Sequence, residues 1–164
     1  MIWGCSIMKC KILLVEDERE LSDAVGVFLK YYGYDVKKAY DGKTARMLFE
    51  SFEPDIVLMD VMLPDEQGID LCRAFKMHDD IGVIFTTALS SKDKTIQGFH
   101  AGGDDYVTKP FDLDILMLRI EALTNRIKTQ DVEADNEANH EIFFDSYNNK
   151  VIKKINSNIN ANRV

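Results

Sequence analysis

The stretch Lys11-Ile-Leu-Leu-Val-Glu-Asp-Glu18 decides how the rest of the chain is read. Four aliphatic residues in a row give way at once to three acids, the pattern of a strand buried on both faces that ends at a polar edge. The same construction returns in Ile56-Val-Leu-Met59, followed by Asp60, and in Val83-Ile-Phe-Thr86, followed by Thr87. With Ile12 to Val15 as the first, and Tyr34 to Ala39 and Tyr106 to Val107 as weaker candidates, five strands are predicted. Helical periodicity fills the gaps. Leu21, Val25, Phe28, Leu29 and Tyr32 form one apolar stripe, and Ala45, Leu48, Phe49 and Phe52 another. Leu113, Leu116, Met117, Ile120, Leu123 and Ile127 form a third. Gly33 suits a helix stop, and Asp41-Gly42 and Gly102-Gly103 suit turns. Strand and helix alternating in this way predict an α/β fold, a doubly wound parallel sheet with helices on both faces.

Composition excludes several function classes. Of 164 residues, 46% are hydrophobic, enough to bury a core, so wholesale disorder is not expected. Twenty Lys and Arg against 28 Asp and Glu leave a formal charge of −8, which disfavours a nucleic-acid or anionic-membrane grip. Cys5, Cys10 and Cys72 are odd in number and show no C-x-x-C pair, which reads as reduced thiols in a cytoplasmic protein. His78, His100 and His140 lack zinc-ligand spacing. The longest run without a charged side chain, Ile81 to Ser91, is 11 residues, short of the roughly 20 that cross a bilayer. Met1 to Met8 has no basic residue ahead of its apolar part and fails as a signal peptide.

The expected organisation is an N-terminal extension over 1–8, one α/β domain over 9–128, an acidic linker over 129–140, and a tail over 141–164. Within the tail, Glu141 to Asp145 and Lys150 to Ile155 flank Ser-Tyr-Asn-Asn as a plausible hairpin.

Ligands of an open parallel sheet bind outside the carboxyl ends of its strands. There the sequence delivers Glu16 and Asp17 from the first strand, Asp60 from the third, Thr87 from the fourth and Lys109 after the fifth. Carboxylates gathered without counter-charge repel, and a hard divalent cation such as Mg²⁺ reconciles them. Lys109 then offers a positive charge and Thr87 a hydroxyl to anionic oxygens, with Asp60 available as a nucleophile toward a phosphoryl group. Each residue also has an ordinary structural reading. Glu16, Asp17 and Glu18 would favour the start of a helix, Asp60 could end a strand, Thr87 could fill a β-branched strand position, and Lys109 could be a solvated loop charge. Only their joint arrival at one edge favours the functional reading.

Three stretches carry a resemblance: Ile12-Leu-Leu-Val-Glu-Asp-Glu18, Asp55-Ile-Val-Leu-Met-Asp-Val-Met-Leu-Pro64, and Gly102-Gly-Asp-Asp-Tyr-Val-Thr-Lys-Pro-Phe111. Residues Lys11 to Arg126 resemble the receiver domain of bacterial two-component response regulators. The resemblance implies a flavodoxin-like strand order of 2-1-3-4-5 and a cis peptide before Pro110. It implies that Asp60 is the phosphorylated residue, supplied by a sensor histidine kinase, and that Glu16, Asp17, Asp60 and the backbone carbonyl of Met62 hold Mg²⁺. Thr87 and Lys109 would contact the phosphoryl group, and Tyr106 would be the aromatic switch that turns inward when Thr87 moves. Such a protein is not a conventional enzyme, although it catalyses its own aspartyl phosphorylation and dephosphorylation.

Asp104-Asp-Tyr-Val-Thr-Lys-Pro-Phe111 and the long last helix are most similar to the OmpR-type subfamily, transcription regulators whose receiver precedes a winged-helix DNA-binding domain. Glu141 to Ile155 is similar to the opening strands of that domain. No basic recognition helix follows, so direct DNA binding by this chain is not expected. Activated members pair through the fourth helix, fifth strand and fifth helix. Asp93, Asp104, Asp105 and Arg119 match that pattern, whereas Thr95, Ile115 and Ala101 depart from it, which predicts a weakened or altered homodimer. The competing readings are a stand-alone or phosphate-sink receiver without transcriptional output, and a phosphatase of haloacid-dehalogenase type. The latter places a second Asp two residues after its nucleophile, where this chain has Met62. Neither G-x-x-x-x-G-K nor G-x-G-x-x-G occurs, so nucleotide binding has no support.

Overall fold

The structure is a computed structural model that describes residues 10–77, 80–88, 98 and 100–128. The linker, the hairpin, Cys5, Asp93, Thr95, His78 and His140 lie outside the described residues. Residues as far as Asn125 fall in one compact unit, and Arg126 begins a second.

Five strands alternate with helices: β1 Lys11–Val15, α1 Arg19–Tyr31, β2 Asp35–Ala39, α2 Gly42–Phe52, β3 Ile56–Asp60, α3 Gly68–Lys76, β4 Gly82–Thr87 and β5 Asp105–Thr108. Residues 113–128 form a further helix. The sheet is parallel throughout in the order β2-β1-β3-β4-β5. Both the doubly wound sheet and the expected strand order are therefore observed. Each strand is within a residue or two of its expected span. The three continuous apolar runs are the three central strands, and β3 and β4 are buried along their whole length. Strand β2, at one edge, alternates buried Val36 and Ala39 with more exposed Asp35, Lys37 and Lys38, as an edge facing water does.

Helix α1 buries Ser22, Val25, Gly26 and Leu29. Its expected stop holds: Gly33 adopts φ +90°, its N–H donates to Lys30 O (3.0 Å), and the Tyr34 N–H donates to Leu29 O (3.2 Å). That is the reciprocal bonding of a Schellman cap, which favours a residue without a Cβ. Asp41-Gly42, expected as a turn, instead starts α2. The Asp41 carboxylate accepts the Thr44 N–H at 2.6 Å, so the residue caps the helix that the turn reading ended short of. On the 113–128 helix, Leu116, Met117, Ile120 and Leu123 are buried, whereas Ile115 and Leu118 are 49% and 60% exposed. Ile115 thus stands outside the core stripe. Among the described residues no helix is long and apolar enough to cross a membrane.

Candidate functional site

The parallel register brings the strand ends to one edge. Glu16 directly follows β1, and its N–H donates to Ala39 O at 3.0 Å, so the end of β2 steadies it. Asp60 is the last residue of β3 and Thr87 the last of β4. Lys109 follows β5, and its N–H donates to Thr87 O at 2.7 Å, tying the two strand ends together. The peptide from Lys109 to Pro110 is cis, as the resemblance implies.

Side-chain geometry makes these ends one constellation. Glu16, Asp17 and Asp60 each present a carboxylate oxygen within 4.8 Å of the others. Lys109 Nζ lies 2.6 Å from Glu16 Oε2 and 2.7 Å from Asp60 Oδ2. The remaining oxygens also have donors: Asp60 Oδ1 accepts the Met62 N–H at 2.9 Å, and Glu16 Oε1 accepts the Glu18 N–H at 3.2 Å. Glu16 and Asp60 are buried and Asp17 is exposed, so the cluster opens to water on one side.

Burial pushes the Glu16 carboxyl up from its ordinary range, against the pull of Lys109. Burial also works against the charge on Lys109, yet hydrogen bonds to Asp60 and Glu16 more than offset it and hold the ammonium above its usual pKa. The two directions are compatible because one lysine serves two carboxylates, of which Glu16 is the more buried. With all three acids ionised and Lys109 charged, the cluster carries −2. A donor set of three carboxylates, partly open to water and short of positive charge, fits a hard divalent cation.

Thr87 is buried. Phe85 pairs in register with Tyr106, and Thr87 with Thr108. Side chains two apart share a sheet face, so Thr87 and Tyr106 lie on the same one. The Tyr106 ring is half-buried against the core, its centroid 6.1 Å from that of Phe85.

Glu16, Asp17, Asp60, Thr87 and Lys109 therefore come to this edge, and Tyr106 to the sheet face beside it. The residues matched to a pairing surface do not all remain available. Arg119 Nη1 reaches both oxygens of Asp105 at 2.7 Å, Asp104 is bridged to Lys76 at 3.1 Å, and Ala101 is buried.

Sequence reading missed Gly68, Asp65 and Glu66. The Gly68 N–H donates to Val61 O at 2.7 Å, and a Cβ at that position would lie 2.1 Å from the carbonyl oxygen of Asp60, so the start of α3 closes on the site only without a side chain. A glycine eight residues after a strand-end acid and next to a helical stripe was the available signal. Asp65 and Glu66 gave none, since their partners lie more than 19 residues away in sequence.

A doubly wound parallel sheet with this acid cluster and lysine at its carboxyl edge defines the receiver class. The sequence family described as "Response regulator receiver domain" matches residues 12–121, more than half of the chain, which therefore belongs to that family of two-component response regulators. A relative, the DNA-binding dual master transcriptional regulator RpaA of Synechocystis sp., is 39% identical over 119 residues, covering 71% of this chain and 49% of the relative. The chain thus spans about half the length of that relative. Among solved structures, the receiver domain of the Francisella response regulator 1452 is 33% identical with a TM-score of 0.68, covering 72% of this chain and 98% of that one. The BeF3-activated DrrB receiver domain is 35% identical with a TM-score of 0.66, covering 72% and 99%.

Proposed function

We propose that this receiver accepts a phosphoryl group on Asp60 from the phosphohistidine of a sensor histidine kinase, with Mg²⁺ as cofactor. The observation that carries the reading is the single Lys109 ammonium shared by Glu16 and Asp60, beside Asp17, at the end of the sheet. Glu16, Asp17, Asp60 and the Met62 carbonyl would hold the cation, which when bound supplies positive charge to the phosphoryl oxygens.

The chain's own residues do the rest. An Asp60 carboxylate oxygen attacks phosphorus, the new P–O bond forms, and the P–N bond breaks with its electron pair left on the imidazole nitrogen. Phosphoryl transfer asks mainly for positioning and charge neutralisation. The Met62 N–H orients the carboxylate through Oδ1, and Lys109 meets charge on the side of Oδ2. Water attack on the acyl phosphate reverses the modification. The Thr87 hydroxyl contacts a phosphoryl oxygen, and its movement frees space for Tyr106 on the same sheet face. Phosphorylation then acts as a population shift, effective only as far as it favours one packing of that face.

The receiver is assigned to residues 9–128 of a cytoplasmic protein, after an extension over 1–8 and before a linker over 129–140 and a partial effector hairpin over 141–164. RpaA is named as DNA-binding, and it matches along half its length; here the receiver is proposed as the input side of transcription regulation. The phosphatase alternative is not favoured, because Met62 places no carboxylate two residues after Asp60.

Metal removal tests the proposal. Phosphate uptake from a small-molecule phosphodonor is expected to stop when EDTA strips Mg²⁺ and to resume when Mg²⁺ is restored; uptake that continues in EDTA contradicts it.

A further inference from the structure

The loop that follows Asp60 is fastened to a helix that takes no part in the acid cluster. Within the loop, Met62 bridges to Gln67 in antiparallel fashion, and the Leu63 N–H donates to Glu66 O at 3.2 Å, so residues 62–67 form a tight finger with Asp65 near its tip. The tip reaches the first turn of α2. One Asp65 oxygen accepts the Gly42 N–H at 2.8 Å and the other accepts the Lys43 N–H at 2.9 Å. These donors hold the Asp65 carboxyl below the ordinary aspartate range. Beside them, Glu66 meets Arg46 in a two-pronged pair, with Oε1 3.0 Å from Nε and Oε2 2.6 Å from Nη2. Gly42 makes the approach possible, since a Cβ there would lie 2.2 Å from Glu66 Oε1.

The finger and α2 therefore close a ring around the cluster. Glu16 is tied to the end of β2 through Ala39 O, β2 runs directly into the capped start of α2, α2 grips Asp65 and Glu66, and the finger returns to Asp60 through the Met62 N–H. The helix start already has a cap of its own, because Asp41 accepts from Thr44. The two amides taken by Asp65 thus bind the finger in addition to that cap.

We infer that Asp65 and Glu66 are positioning residues that clamp the Met62 finger against α2 and so keep the Met62 backbone in place at the phosphoacceptor. The inference rests on the proposed reading of the site for its effect on metal, but not for its effect on Met62 itself.

Two readouts on the full chain test it: the rate of Met62 amide hydrogen exchange by NMR without metal, and the Kd for Mg²⁺ by calorimetric titration. Asp65→Ala is expected to speed Met62 exchange and to weaken Mg²⁺ binding about three- to tenfold, at or below the roughly 10- to 100-fold that groups directly orienting metal ligands contribute. Asp65→Asn, which keeps one acceptor oxygen, is expected to fall between. Asp41→Ala loosens the same helix start without touching the finger, and should leave both readouts within about twofold of wild type, the ordinary size of an indirect effect. Unchanged Met62 exchange in Asp65→Ala, or equal changes in Asp65→Ala and Asp41→Ala, would overturn the clamp. If wild type failed to bind Mg²⁺, the proposed cofactor would fall, and the exchange rates would still decide the clamp.

Discussion

At the scale of single residues, the site is organised by a shortage of positive charge. Lys109 neutralises two carboxylates, one of them the buried Glu16, and among the described residues no other ion pair reaches Glu16, Asp17 or Asp60. Lys109→Ala should leave Glu16 uncompensated and lower the unfolding free energy by about 2–3 kcal/mol, at or below the range for breaking a buried pair. Urea denaturation in EDTA reads this, and an unchanged midpoint would speak against the shared ion pair. Cys72 is a buried residue of another kind. Burial pushes its thiol up to about 11, and its Sγ lies 3.5 Å from Ala101 O. An unfolded thiol loses its proton near pH 8.5, so above that pH the folded state holds more protons and stability falls as pH rises. The fall is expected to be on the order of 1–2 kcal/mol by about pH 10, and Cys72→Ala should remove it from the stability profile. A wild-type profile as flat as that of the variant would contradict the assignment. Most site residues were legible in the sequence because each ends a strand, where residue type and place coincide. Asp65 and Glu66 were not, because their partners are two backbone amides and an arginine side chain of a distant helix, and no local pattern announces such bonds.

At the scale of elements, the ends of helices separate what periodicity shows from what it hides. Both α1 and α2 turn left-handed at or just beyond their last turn, but Gly33 does so at α1 and Glu53, at φ 51°, does so at α2. The same backbone requirement thus meets a residue that suits it and one that carries a strained Cβ. Gly33→Ala is expected to lower stability by about 1 kcal/mol, and Glu53→Gly to raise it by about 0.5 kcal/mol after the entropy of the added glycine is counted. Opposite shifts in melting temperature check the pair; shifts of the same sign would refute the account. The apolar stripes located the helices, yet the start of α2 was read as a turn. Asp-Gly suits a turn and a helix cap equally, and only the Thr44 amide on the Asp41 carboxylate tells them apart.

At the scale of the whole molecule, five strands of unequal character produce a sheet whose functional edge is a consequence of its winding. The continuous apolar runs are the central strands and bring Glu16, Asp60 and Thr87 to one edge, while the order of those strands followed from the receiver resemblance. The surface is harder to read, since an apolar residue on a helix declares its stripe only when the core is in view. Ile115 and Leu118 face outward, and Arg119 and Asp105 are already paired within the chain. A phosphorylated protein with these residues is expected to sediment mainly as a monomer at low micromolar concentration, and a tight dimer there would contradict the weakened pairing. The central claim is tested most directly by intact mass after incubation with Mg²⁺ and a small-molecule phosphodonor. Wild type is expected to gain a single labile phosphate and Asp60→Asn none; a wild type that gains none, or an Asp60→Asn variant that gains one equally, contradicts Asp60 as the phosphoacceptor.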